Sequence, residues 1–182
     1  MIFRKIKKKV NTAGFTIMEM IVSIFIIALI SGIFLVNYHG ASQRSGLINV
    51  VQKAISDVKL AESYSLGTKE YDGVMPLGGW GIFFSLDSPG SYVIFADKNN
   101  NQQYDSGEAD SAKGGKTIVL PNRIILDSIN LGNRADIIFL PPDPTIYING
   151  ASNSAHIKFR ESIANTTKTM EVNSFGLAEA VD

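Results

Sequence analysis

The chain is 182 residues long, room for one domain and an appendage. It contains no cysteine, which excludes disulfides, thiolate catalysis and cysteine-held zinc or iron. Its formal net charge is zero, yet Arg4, Lys5, Lys7, Lys8 and Lys9 open the chain with no acid among them.

After this basic leader, Phe15 to Val36 is an apolar run with one charge, Glu19. A helix rises about 1.5 Å per residue, so the run is long enough for a bilayer core. A secretory signal is the rival reading, but its cleavage site is poor here; His39-Gly40-Ala41 is the nearest candidate. The cations precede the span, and the first one after it is Arg44. The positive-inside rule then places the N-terminus in the cytoplasm and the rest beyond the membrane. A lone carboxylate in such a span is costly and calls for a partner; its own helix N-terminus is one source of favourable charge.

No proline occurs before Pro76, so helix is expected from Phe15 to about Leu66. Its second half is amphipathic, with Leu47, Val50, Val51, Ala54, Ile55, Val58 and Ala61 at helical spacing. Asp57 and Lys53 fall mostly elsewhere on the wheel, and Gly67 is a stop.

From Gly67 the texture changes to short runs of Ile, Val, Phe and Tyr between Gly, Pro, Asn and Asp. Strands are expected near Trp80–Leu86, Tyr92–Ala96, Lys116–Leu120, Arg123–Ser128, Asp136–Leu140, Thr145–Ile148, His156–Arg160 and Thr169–Val172. The expected class is α+β: a long N-terminal helix, membrane-spanning in its first half, packed on a mostly antiparallel sheet. The divisions are a leader at 1–14, a membrane helix at 15–38, an amphipathic spine at 39–67 and a β-rich domain at 68–182.

One loop carries metal-ligand spacing. Asp97, Asn99, Asn101, the Gln103 backbone, Asp105 and Glu108 stand at positions 1, 3, 5, 7, 9 and 12 of a twelve-residue calcium loop. A hard cation wants oxygens at alternate positions because the chain must wrap around it. The sixth position, where glycine makes the sharp turn, holds Gln102. Two readings stand: a low-affinity calcium site, the one cofactor considered, and an asparagine-rich loop tip. Elsewhere, His39 and His156 have no second histidine near them, and no nucleophile elbow or zinc helix organises the Ser, Asp and His residues. Gly78-Gly79-Trp80-Gly81 lacks the Lys-Ser/Thr of a phosphate loop.

The basic leader, Gly14, Phe15-Thr16-Ile17-Met18-Glu19 and the apolar helix resemble the signal of type IV pilins and type II secretion pseudopilins. The β-rich part, with Gly79-Trp80-Gly81-Ile82-Phe83-Phe84 and Gly90-Ser91-Tyr92-Val93-Ile94-Phe95-Ala96-Asp97, looks like GspH/FimT-type minor pseudopilins. The resemblance implies cleavage between Gly14 and Phe15 by a prepilin peptidase, N-methylation of Phe15 and an assembly role for Glu19. It implies a structural subunit of a secretion pseudopilus or pilus, not an enzyme. Its partners would be other subunits, an inner-membrane assembly platform and membrane lipid. A calcium-binding or adhesive module merely tethered to the membrane is the alternative. A cut after Gly14 removes five of 17 cations and leaves 12 against 17 acids, a balance of −5 that argues against non-specific nucleic-acid binding.

Overall fold

The computed structural model describes residues 14–143, 145–151 and 154–181, with the side chains of 36–44 left aside. The leader therefore lies outside the described residues up to Ala13. The chain divides into two compact units, Met1–Gly40 and Ala41–Asp182. Helix α1, Ile17–Leu66, contributes to both.

In the first unit, Ile17–Leu35 is long and apolar enough to cross a membrane, and its side chains are exposed. By length and composition it qualifies as a membrane anchor or a signal segment. Its start is a cap: the Glu19 amide donates to Thr16 Oγ1 at 3.2 Å, and the Met20 amide to the Thr16 carbonyl. Thr16 and Glu19 have capping-box spacing, a local reason for an acid at this position.

In the second unit, Leu47, Val50, Val51, Ala54, Ile55, Val58 and Ala61 of α1 are buried in one core with residues from the strands. The helix ends in two bonds, Thr68 N–H to Ser65 O and Lys69 N–H to Tyr64 O, closed by Thr68 at φ +49°. This is the Schellman arrangement, with threonine rather than Gly67 taking the left-handed turn.

Among the described residues nine strands follow: β1 Trp80–Ser85, β2 Ser91–Ala96, β3 Lys116–Val119, β4 Ile124–Ile129, β5 Arg134–Leu140, β6 Thr145–Ile148, β7 Ala155–Glu161, β8 Thr166–Val172 and β9 Ala178–Val181. They form two antiparallel sheets, ordered β3-β2-β1-β5-β6 and β4-β7-β8-β9. The expected architecture, one long helix packed on one mostly antiparallel sheet, is corrected accordingly: the body is mostly β and double-sheeted. The corner between the sheets is Leu120–Arg123, where Pro121 withholds a backbone donor and Arg123 sits at φ +83°. That corner takes the chain out of the first sheet, and β5 brings it back to pair with β1.

Burial follows from this layering. Strand β7 alternates buried and half-buried, one face on the core, as the period of two requires. Strand β5 is buried along both faces from Ala135 to Phe139. Its inner face carries Ala135, Ile137 and Phe139, which join the main core. Its other face holds Asp136 and Ile138, on the side where the candidate metal loop packs.

Candidate metal centre

The loop begins where β2 ends. Asp97 is fully buried and accepts two amides, Asn101 N–H on Oδ1 at 3.2 Å and Gln102 N–H on Oδ2 at 2.9 Å. Two further side-chain turns follow: Asn101 N–H to Asn99 Oδ1 at 3.2 Å, and Gln103 N–H to Asn101 Oδ1 at 2.9 Å. Such asparagine turns bend the backbone locally and bring alternate side chains to one side. Gln102 adopts φ +62° and Asn100 φ +56°. The sharp turn at the sixth position is thus made without glycine, at the steric cost a non-glycine residue bears there.

The other end closes back on the first. Glu108, only 4% exposed, accepts Lys98 N–H on Oε1 at 2.9 Å and Asp105 N–H on Oε2 at 3.0 Å. Asp105 Oδ2 accepts the side-chain amides of Asn99 at 2.9 Å and Asn101 at 2.7 Å. Asn99, Asn101 and Asp105 therefore converge within hydrogen-bond reach. For these groups to ligate a cation, the two amides must turn to present oxygen in place of nitrogen. Burial pushes the Glu108 carboxyl above its ordinary range. The two amide bonds oppose this, and the charges of Asp97 and Asp105 add to it. Among the described residues no group of three His, Cys, Asp or Glu is placed to hold a metal, so the loop depends on its asparagines.

What holds the loop down lies outside its own ligand spacing. Tyr104 packs tilted over Phe83 at 4.7 Å and edge-on to Phe95 at 5.3 Å, on the outer face of the first sheet. Its amide donates to Asp136 Oδ1 at 2.8 Å. Asp136 is 1% exposed and takes both arms of the Arg134 guanidinium at 2.7 Å. Asn149 accepts the Asp136 amide at 2.8 Å and donates to the Arg134 carbonyl at 3.1 Å. A signal was present: an Asp inside the apolar strand Arg134–Leu140 has to be paired if it is buried.

The other candidates lie apart from this loop. Gly14 and Phe15 precede α1 and are exposed, as is Glu19 in its first turn. His39 falls within α1. His156, in β7, has Nε2 3.3 Å from Glu171 Oε2 and Nδ1 3.1 Å from the Asn130 amide nitrogen. Trp80 and Phe84 are core residues, while Phe83 belongs to the outer face under Tyr104.

No curated protein and no solved structure matches the chain. One family does, that of the Streptomyces extracellular neutral proteinases (M7), over residues 34–131. The matched stretch starts after the leader, Glu19 and most of the apolar span, and it includes the Asp97–Glu108 loop. The match overturns the expected membership of the pilins and pseudopilins, and with it the role of a structural filament subunit in secretion. It also overturns the expectation that the chain is not an enzyme, since the family is one of metalloprotease type. The zinc site of such enzymes calls for two histidines four residues apart on a helix, with a glutamate between them. The chain has two histidines in all, at positions 39 and 156, and no cysteine, so its residues do not fit that site. With 98 of its 182 residues matched, the chain belongs to the Streptomyces extracellular neutral proteinase (M7) family.

Proposed function

We propose that the chain is a membrane-anchored domain held outside the cytoplasm, whose Asp97–Glu108 loop binds a calcium ion. The observation that carries the metal reading is Gln102 at φ +62° with its amide donated to Asp97. The sharp turn that the spacing requires is formed even though the glycine is missing. The anchor is the apolar stretch Ile17–Leu35, oriented by the five leader cations with the N-terminus in the cytoplasm. The reading includes a cut between Gly14 and Phe15, ahead of α1. Intact mass of membrane-extracted protein tests it: a chain beginning at Phe15 supports the cut, and one retaining Met1 sinks it.

Calorimetric titration of the detergent-solubilised chain tests the metal. Heat and a thermal shift at millimolar calcium are expected; neither at that concentration removes the site.

The family match favours a second reading, a neutral proteinase. Casein cleavage by the detergent-solubilised chain would carry it, and an inert chain would sink it.

A further inference from the structure

Both arms of the calcium loop are tied to one segment, Tyr71–Gly79, which leads into β1. Tyr71 Oη donates to the Gly107 carbonyl at 2.6 Å and accepts the Asp110 amide at 3.1 Å. Gly107 is the eleventh loop position. At the first position, Gly78 N–H donates to the Asp97 carbonyl at 2.9 Å, and Asp97 N–H to the Gly79 carbonyl at 3.0 Å. A Cβ on Gly78 would stand 2.2 Å from the Asp97 carboxylate, so segment and candidate ligand are in direct contact. Tyr71 and Val74 close a tight turn on each other. Lys98, the second loop position, joins Tyr71, Val74, Met75 and Leu77 around a cavity of about 250 Å³.

We infer that occupancy of the loop by calcium is transmitted to the Tyr71–Gly79 segment, through the Tyr71 phenol at one end and Gly78 at the other. The inference rests on the calcium reading and adds its regulatory consequence. An opening of the loop that separates position 1 from position 11 frees Tyr71 or drags it along. An ion that binds only the closed loop therefore suppresses openings of the segment and of the cavity it lines. The element with two arrangements is the segment itself, closed on the loop or released from it.

Hydrogen exchange of the full chain in detergent, with and without calcium, tests this beside calorimetry on the same samples. Exchange over Tyr71–Gly79 is expected to slow by up to about a hundredfold at free calcium a hundred times the dissociation constant. In Tyr71→Phe, which keeps every candidate ligand, the heat should persist while most of this slowing is lost. Heat in the wild-type chain with unchanged exchange over the segment overturns the inference and leaves the site standing. Full slowing in Tyr71→Phe overturns the route through the phenol. Absence of heat in the wild-type chain overturns both the site and its transmission.

Discussion

The Tyr92 phenol donates to the carboxylate of Asp57 at 2.6 Å, joining β2 to α1 inside the core of the second unit. Asp57 is 1% exposed and also accepts a short bond from Lys53, one helical turn before it. On the helical wheel Asp57 fell outside the apolar stripe. A strand supplies its hydroxyl, and the carboxylate turns inward to meet it. Removing that hydroxyl leaves Asp57 Oδ2 buried without its donor while Lys53 still holds Oδ1, so Tyr92→Phe should cost about 1–3 kcal/mol in urea denaturation.

The same pair sets an alkaline limit. Burial first, then the hydrogen bond to Asp57 and its charge, raise the Tyr92 pKa well above its ordinary value of 10.0. A raised folded-state value means that the contribution is complete below the unfolded pKa and declines as pH rises past it. The melting temperature should therefore fall from about pH 10 upward, and Tyr92→Phe should flatten the decline. Identical slopes in the two proteins would refute this.

Asp136 is the anchor beneath the Asp97–Glu108 loop. Asp136→Ala leaves Arg134 without its bidentate partner and Tyr104 N–H without its acceptor. A loss of about 3–5 kcal/mol is expected for breaking a buried pair on one side. Because Arg134 is partly exposed, the lower end of that range is the better expectation. Thermal denaturation reads the cost, and a change under about 0.5 kcal/mol would contradict the anchoring role.

Calcium bound at the proposed site should raise thermal stability with the logarithm of its free concentration above the dissociation constant. At a hundred times the dissociation constant, linkage gives about 2.7 kcal/mol. If the proposed site exists, Glu108→Gln removes the carboxylate charge of position 12 and should weaken calcium binding at least about tenfold. An unchanged isotherm in that variant would place the ion elsewhere.

Gln102→Gly tests the strained sixth position. Glycine relieves the cost of a side chain at φ +62° but adds unfolded-state entropy, so the net change should lie between zero and about 1 kcal/mol of stabilisation. Calcium affinity should hold or rise. A drop in both would mean that the glutamine side chain contributes something the turn alone does not.

Several elements were legible in local patterning. Strands β1 to β8 announce themselves by β-branched and aromatic runs between turn residues, with ends displaced by at most three positions. Strand β9, Ala178-Glu179-Ala180-Val181, does not, because alanine and glutamate favour helix and only pairing with β8 makes it a strand. Likewise the loop's ligand spacing is visible in the chain, whereas its supports, Arg134 and Asn149, arrive from β5 and the turn after β6.

By itself, then, the sequence determined the membrane-length apolar stretch, the amphipathic stripe of α1 and the alternate oxygens of Asp97–Glu108. These are periodicities, set by neighbours a few residues away. Only the tertiary structure decided that the strands divide into two sheets, that Asp57 is buried against Tyr92, and that Asp136 clamps Tyr104. Each of those depends on which distant backbone lies opposite, a choice made by pairing and burial across the whole core and written in no single stretch of chain.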